Sequence, residues 1–90
     1  MPSIKIPAPL RNYTDSQSVV TVSGTTVGAA VTSLTEKHPK LRQHLYTDSG
    51  ELRAFVNLFL AGEDVRYLQG LDTELNENDE LRIVPSVAGG

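Results

Sequence analysis

The sequence has no cysteine and no tryptophan. Without thiols there is no disulfide scaffold, no thiolate metal centre, no catalytic cysteine and no side-chain persulfide. Long apolar runs are also missing. None approaches the ~18–20 residues that a membrane span needs, so no membrane partner is expected. Met1–Leu10 carries three prolines and one lysine and lacks the apolar stretch of a signal peptide, which points to a cytoplasmic protein. Positive charge is sparse. Eight Lys and Arg are spread along the chain against eleven Asp and Glu, for a net charge of -3. That balance supplies no basic face for nucleic acid. The two histidines, His38 and His44, lie six apart around Pro39 with no third ligand near them, so no metal site is expected.

At 90 residues the chain reads as one small domain, with 39% hydrophobic and 21% charged residues. A domain of this size buries roughly 60–65% of its unfolded surface. That allows one modest core and no deep, walled active site, so no catalytic residue is assigned. Gly24-Thr25-Thr26-Val27-Gly28 lacks the lysine of a phosphate loop and reads as a helix cap. Glu77-Asn78-Asp79-Glu80 lacks the length of a cation loop and reads as a solvated turn.

Ser3 to Pro7 alternates, with Ile4 and Ile6 on one face, and Pro7 and Pro9 stop the strand or confine it to an exposed edge. Asn12 to Ser16 is turn chemistry, and Ser18 to Ser23, rich in β-branched residues, is a second strand that forms a hairpin with the first. Thr25 or Thr26 caps a helix from Val27 to His38, where Val27, Ala30, Val31 and Leu34 recur at helical spacing. Pro39 ends it. Leu41 and Leu45 continue a looser helical turn over the core edge. Arg53–Leu60 is a strand, followed by a turn at 61–64, a short return at Val65–Tyr67 and a 3₁₀-like stretch anchored by Leu71 and Leu75. Glu80–Val84 is the last strand, ended by Pro85. The crossover from the second strand to the strand after the helix requires parallel pairing somewhere. The fold class is therefore α+β: a mixed sheet of four or five strands with one main helix on one face, the order of a β-grasp domain.

The last ten residues, Leu81 to Gly90, resemble the ending of the MoaD/ThiS family of ubiquitin-like sulfur carriers. Val84-Pro85-Ser86-Val87-Ala88-Gly89-Gly90 carries the match. Phe55-Val56-Asn57 with the hairpin ending Gly62-Glu63-Asp64-Val65-Arg66 adds to it, as does Leu71-Asp72-Thr73-Glu74-Leu75 before an acidic turn. The loop before Phe55 and the segment from Phe55 to Arg66 are most similar to the CysO-type carriers of that family. Asn78 stands where the family usually has glycine, and asparagine tolerates the left-handed backbone such a turn would use.

The resemblance implies a β-grasp domain over residues 1–85 and a flexible Gly-Gly tail over 86–90. It implies a carrier rather than an enzyme. An E1-like partner of the ThiF/MoeB type uses ATP to adenylate the Gly90 carboxylate. A sulfur donor then displaces AMP and leaves a C-terminal thiocarboxylate. No cofactor is bound by the chain itself. The accepting enzyme is expected to be a cysteine synthase, in cysteine biosynthesis. The alternatives are a MoaE-like subunit in molybdopterin biosynthesis, a thiazole synthase in thiamine formation, or use of the chain as a ubiquitin-like protein modifier. Gly89 and Gly90 lack Cβ, so the terminus can thread a narrow channel. Five residues beyond Pro85 reach at most ~18 Å. The chain is expected to need no processing to expose Gly90.

Strand alternation supplies a docking surface. Val56, Leu58 and Leu60 should face the helix, leaving Phe55, Asn57 and Phe59 outward. Leu81 and Ile83 should face in, with Arg82 and Val84 outward. Partner docking is therefore expected at Phe55, Asn57, Phe59, Arg82 and Val84, and along the tail at Val87 and Ala88. Arg53 and Arg66 read as solvated charge with an option on an acidic partner.

Overall fold

The structure is a computed structural model that describes residues 1–53 and 56–85. Its strands are β1 (Ser3–Lys5), β2 (Val19–Thr21), β3 (Val56–Leu60), β4 (Glu63–Asp64) and β5 (Glu80–Pro85), with helices α1 (Val27–Lys37) and α2 (Arg42–Leu45). The strands form one sheet in the order β2-β1-β5-β3-β4. β1 pairs with β2 and β3 with β4 and β5 antiparallel, whereas β1 and β5 run parallel. This is the mixed α+β, β-grasp arrangement that the element order implied.

Ile4 and Ile6 are both fully buried, and Pro7 ends β1. The strand is not an edge, because it lies between β2 and β5. Proline stops it rather than demoting it. A 3₁₀ helix at Ala8–Tyr13 follows, with Pro9 in its first turn, where the fixed φ of proline fits. Buried Thr14 shares its hydroxyl proton between the carbonyls of Arg11 and Gln17, closing the loop that leads into β2.

Thr26 caps α1: its Oγ1 accepts a hydrogen bond from the Ala29 amide at 3.1 Å. Val27, Ala30, Val31 and Leu34 put one stripe of the helix into the core. Gly24, at φ +130, precedes the cap. A Cβ there would stand 2.7 Å from the Ala29 Cβ, so only glycine lets the chain enter the helix so closely. The helix stops at Lys37, and His38, at φ -133 and ψ 77, leaves the helical region before Pro39. A 3₁₀ turn (Pro39–Leu41) and α2 then lower Leu41 and Leu45 onto the core, where both are fully buried. Each such aliphatic chain contributes about 1.5–3 kcal/mol over an exposed one.

The expected parallel pairing is present, between β1 and β5, while β2 and β3 sit in different parts of the sheet. Several other expectations are corrected. The hairpin after β3 turns on two residues, Ala61 and Gly62, at φ 53 and 85. Positive φ at both centres matches the twist of antiparallel strands. The return strand is therefore Glu63–Asp64, and Val65–Tyr67 is a 3₁₀ turn. Leu75 anchors the following stretch, but Leu71 stands exposed on the Gly70–Asp72 turn. Asn78 is not among the left-handed residues, which outside glycine are Asp15, Ser16 and Ala61. Its turn closes instead by bonds between Asn76 and Asp79, so no glycine is required there. The β-strand expected from Arg53 begins at Val56, with Ala54 and Phe55 outside the described residues. The His44 ring packs against Tyr13 with centroids 4.3 Å apart and planes tilted by 30°.

Among the described residues no helix is long and apolar enough to cross a membrane, and no group of three or more His, Cys, Asp or Glu could hold a metal ion.

Candidate functional site

β5 is the middle strand of five, held on one side by β1 and on the other by β3. It ends at Pro85, opposite Val56 at the start of β3. Residue parity then decides what surrounds that point. Val56, Leu58, Leu81 and Ile83 are buried toward α1, and Leu60 is partly buried. Asn57 and Phe59 point to the other face and are half-buried, while Arg82 and Val84 are exposed there. Register brings them together: Asn57 lies opposite Val84, and Phe59 lies opposite Arg82. The Asn57 amide nitrogen also donates to the Val84 carbonyl at 3.3 Å, tying β3 to the end of β5.

The same register places Val19, Lys5, Arg82, Phe59 and Asp64 in one row across the whole sheet. A shallow concavity of about 640 Å³ is bounded by Phe59, Gly62, Asp79, Arg82 and Val84 among others. A smaller one of about 230 Å³, next to it, is lined by Lys5, Pro7, Arg11, Arg82 and Val84. The outer face thus has an apolar element, Phe59 with Val84, beside Lys5, Arg82 and Arg11, with Asp64, Asp79 and Glu80 at its far edge.

The expected residues Asn57, Phe59, Arg82 and Val84 are therefore brought onto one face. Phe55, Val87, Ala88, Gly89 and Gly90 lie outside the described residues. Lys5 and Arg11 were missed. Lys5 was legible from its parity between Ile4 and Ile6, but Arg11 reaches the face only through the 3₁₀ turn, where its Nε donates to the Ile6 carbonyl at 3.1 Å. Arg53 and Arg66 have structural work as well as charge. Arg53 Nε donates to the Gln43 carbonyl and Arg66 Nη2 to the Val56 carbonyl, each at 2.9 Å. The latter braces β3 at the position paired with Pro85.

Burial pushes the Tyr46 hydroxyl above the usual tyrosine value of 10.0, opposed by its hydrogen bond with Thr32 and by the charge of Arg42.

Comparison with known proteins agrees with the fold and the ending. The ThiS family model matches residues 4–90. The sulfur carrier protein CysO of Mycobacterium tuberculosis is 38% identical over 90 residues, spanning 98% of this chain and 97% of that protein. The molybdopterin synthase sulfur carrier subunit of the same organism is 35% identical over 77 residues, 86% of this chain and 78% of that one. Among solved structures, a chain of the Amycolatopsis orientalis BexX/CysO complex superposes with a TM-score of 0.89 at 32% identity, over 100% of both chains.

Proposed function

Because this chain belongs to the ThiS family, of ubiquitin-like β-grasp fold, we propose that it is a sulfur carrier protein whose working group is the Gly90 carboxylate. One observation carries the reading: β5, the central strand of the sheet, ends at Pro85 and leads in sequence directly into Ser86-Val87-Ala88-Gly89-Gly90.

The chemistry follows from the weakness of a carboxylate as an electrophile. In the proposed cycle an E1-like partner directs a Gly90 oxygen at the α-phosphate of ATP. Pyrophosphate leaves and an acyl-adenylate forms. Hydrosulfide then attacks the carbonyl carbon, AMP departs with its oxygen, and a thiocarboxylate remains. A second enzyme consumes that sulfur nucleophile. This chain contributes the terminus and the docking face, ATP belongs to the partner, and the setting is the cytoplasm. Phe59, Val84, Asn57 and Arg82 contact the partner body, and Val87 and Ala88 line its channel.

We assign the sulfur to cysteine biosynthesis, on the strength of the likeness to CysO over nearly the whole chain. The shorter match to a molybdopterin synthase subunit makes that pathway the second reading. Incubation with the E1-like enzyme of the same organism, ATP and sulfide should exchange one oxygen for one sulfur at Gly90, read by intact mass. No exchange with any such enzyme contradicts the proposal. Adding a cysteine synthase and activated serine, or a MoaE-like subunit and its pterin substrate, then shows which acceptor consumes the product.

A further inference from the structure

Among the described residues the sheet has two edges, β2 and β4. β4 is two residues long and both are acidic, so it offers an added strand little backbone and repels its own copy. β2 is different. It lies within Ser18-Val19-Val20-Thr21-Val22-Ser23, a stretch with no charge, no proline and β-branched side chains from Val19 through Val22. Such a segment on a sheet edge is a template for another strand.

The register decides which of its backbone groups face outward. The Ser18 carbonyl accepts from the Ile6 amide at 2.8 Å, and the Val22 amide donates to the Pro2 carbonyl at 2.9 Å. Val20, between them and opposite Ile4, also bonds toward β1. Val19, Thr21 and Ser23 therefore turn their amides and carbonyls to the open side. Two of those groups are already engaged, both by side chains of α1. Lys37 Nζ donates to the Thr21 carbonyl at 2.6 Å. The Ser23 amide donates to Ser33 Oγ at 3.1 Å, and the Ser23 hydroxyl lies 3.3 Å from the same atom. Ser33 is buried against the sheet, whereas Lys37 is exposed. The lysine ammonium occupies the place that the donor amide of an added strand would take. A charge-assisted bond is roughly twice as strong as the neutral one that would replace it.

We infer that Lys37, with Ser33 beside it, closes the β2 edge against strand addition by a second copy of this chain. A second copy suits the edge because β2 can pair antiparallel with itself about a two-fold axis, and it carries no charge of its own to oppose that pairing. The helix that covers one face of the sheet thereby also blocks its side, and the molecule stays monomeric. This inference does not depend on the carrier reading.

The test is sedimentation of the full-length chain over rising concentration, with no partner enzyme present. Wild type is compared with Lys37→Met and Lys37→Arg, each checked for folding by circular dichroism. Lys37→Met keeps an unbranched stem and removes the ammonium. It should dimerise at concentrations about tenfold or more below any self-association of wild type. Lys37→Arg keeps a cationic donor and should stay monomeric. In the dimer the Val19 and Thr21 amides should gain protection from hydrogen exchange. Adding Val19→Pro to Lys37→Met should restore the monomer, because it removes an outward amide and leaves the bonds to β1 intact. Should Lys37→Met sediment as wild type does, the edge is not closed by Lys37 and the inference falls. It falls equally if Lys37→Arg dimerises as readily as Lys37→Met. A dimer in which Val19 and Thr21 still exchange freely also overturns it, and that readout decides the matter should the proline variant fail to fold.

Discussion

Leu58 and Phe59 are neighbours in β3 whose replacement should have opposite consequences. Leu58 is 2% exposed and lies opposite Ile83 on the buried face. Leu58→Ala removes its contacts and leaves a cavity, at about 2–5 kcal/mol. A 90-residue domain has roughly 5–13 kcal/mol in total, so a large share is lost. At about 3 kcal/mol the melting temperature falls by roughly 12–24 °C. Phe59 is half-buried on the outer face opposite Arg82. Phe59→Ala should cost about 1 kcal/mol and shift melting by roughly 4–8 °C. Its effect should appear instead as weaker binding to the activating enzyme. Thermal denaturation followed by circular dichroism, with calorimetric titration of the enzyme, measures both. If Phe59→Ala melts as early as Leu58→Ala, the strand is slipped by one residue. The docking face would then be the core face, and the reasoning from parity fails.

Gly24→Ala should destabilise by about 1–3 kcal/mol or more, because its backbone is left-handed and the new methyl meets Ala29; chemical denaturation reads it. Thr73→Val keeps the shape and removes the hydroxyl that receives the Gln69 amide, so it should cost about 1–2 kcal/mol and speed hydrogen exchange at Gln69. Tyr46 holds its proton more tightly folded than unfolded, so its contribution is complete below pH 10 and fades as pH rises through its higher folded value. In a spectrophotometric tyrosine titration, Tyr46→Phe should delete a component that ionises above 10.0, and survival of that component would reassign it.

Much of this molecule is legible one residue at a time. The Ile4–Ile6 alternation, the Thr26 cap, the Val27–Leu34 stripe and Pro39 are local signals, and each produced the element that it specifies. The parity of Asn57, Phe59, Arg82 and Val84 was readable for the same reason: a period of two needs no knowledge of the neighbours. Features that depend on who pairs with whom were not readable. Nothing in the spacing of Lys5 and Arg82 says that β1 and β5 lie side by side, so the cationic patch emerged only with the topology. The turn at Ala61-Gly62 was misplaced because alanine seldom takes positive φ, and the hairpin imposes it. Leu71 was read as an anchor from hydrophobicity alone, whereas Leu75, Val65 and Val27 fill the nearby core and leave it outside.

The most direct measurement is the intact mass of this chain isolated from its native host, under conditions that preserve thioacids, with fragmentation to place any change. The account expects a fraction of molecules to carry sulfur in place of one oxygen, localised to Gly90. Molecules that show only the carboxylate, in cells actively assimilating sulfur and with their activating enzyme present, would contradict it.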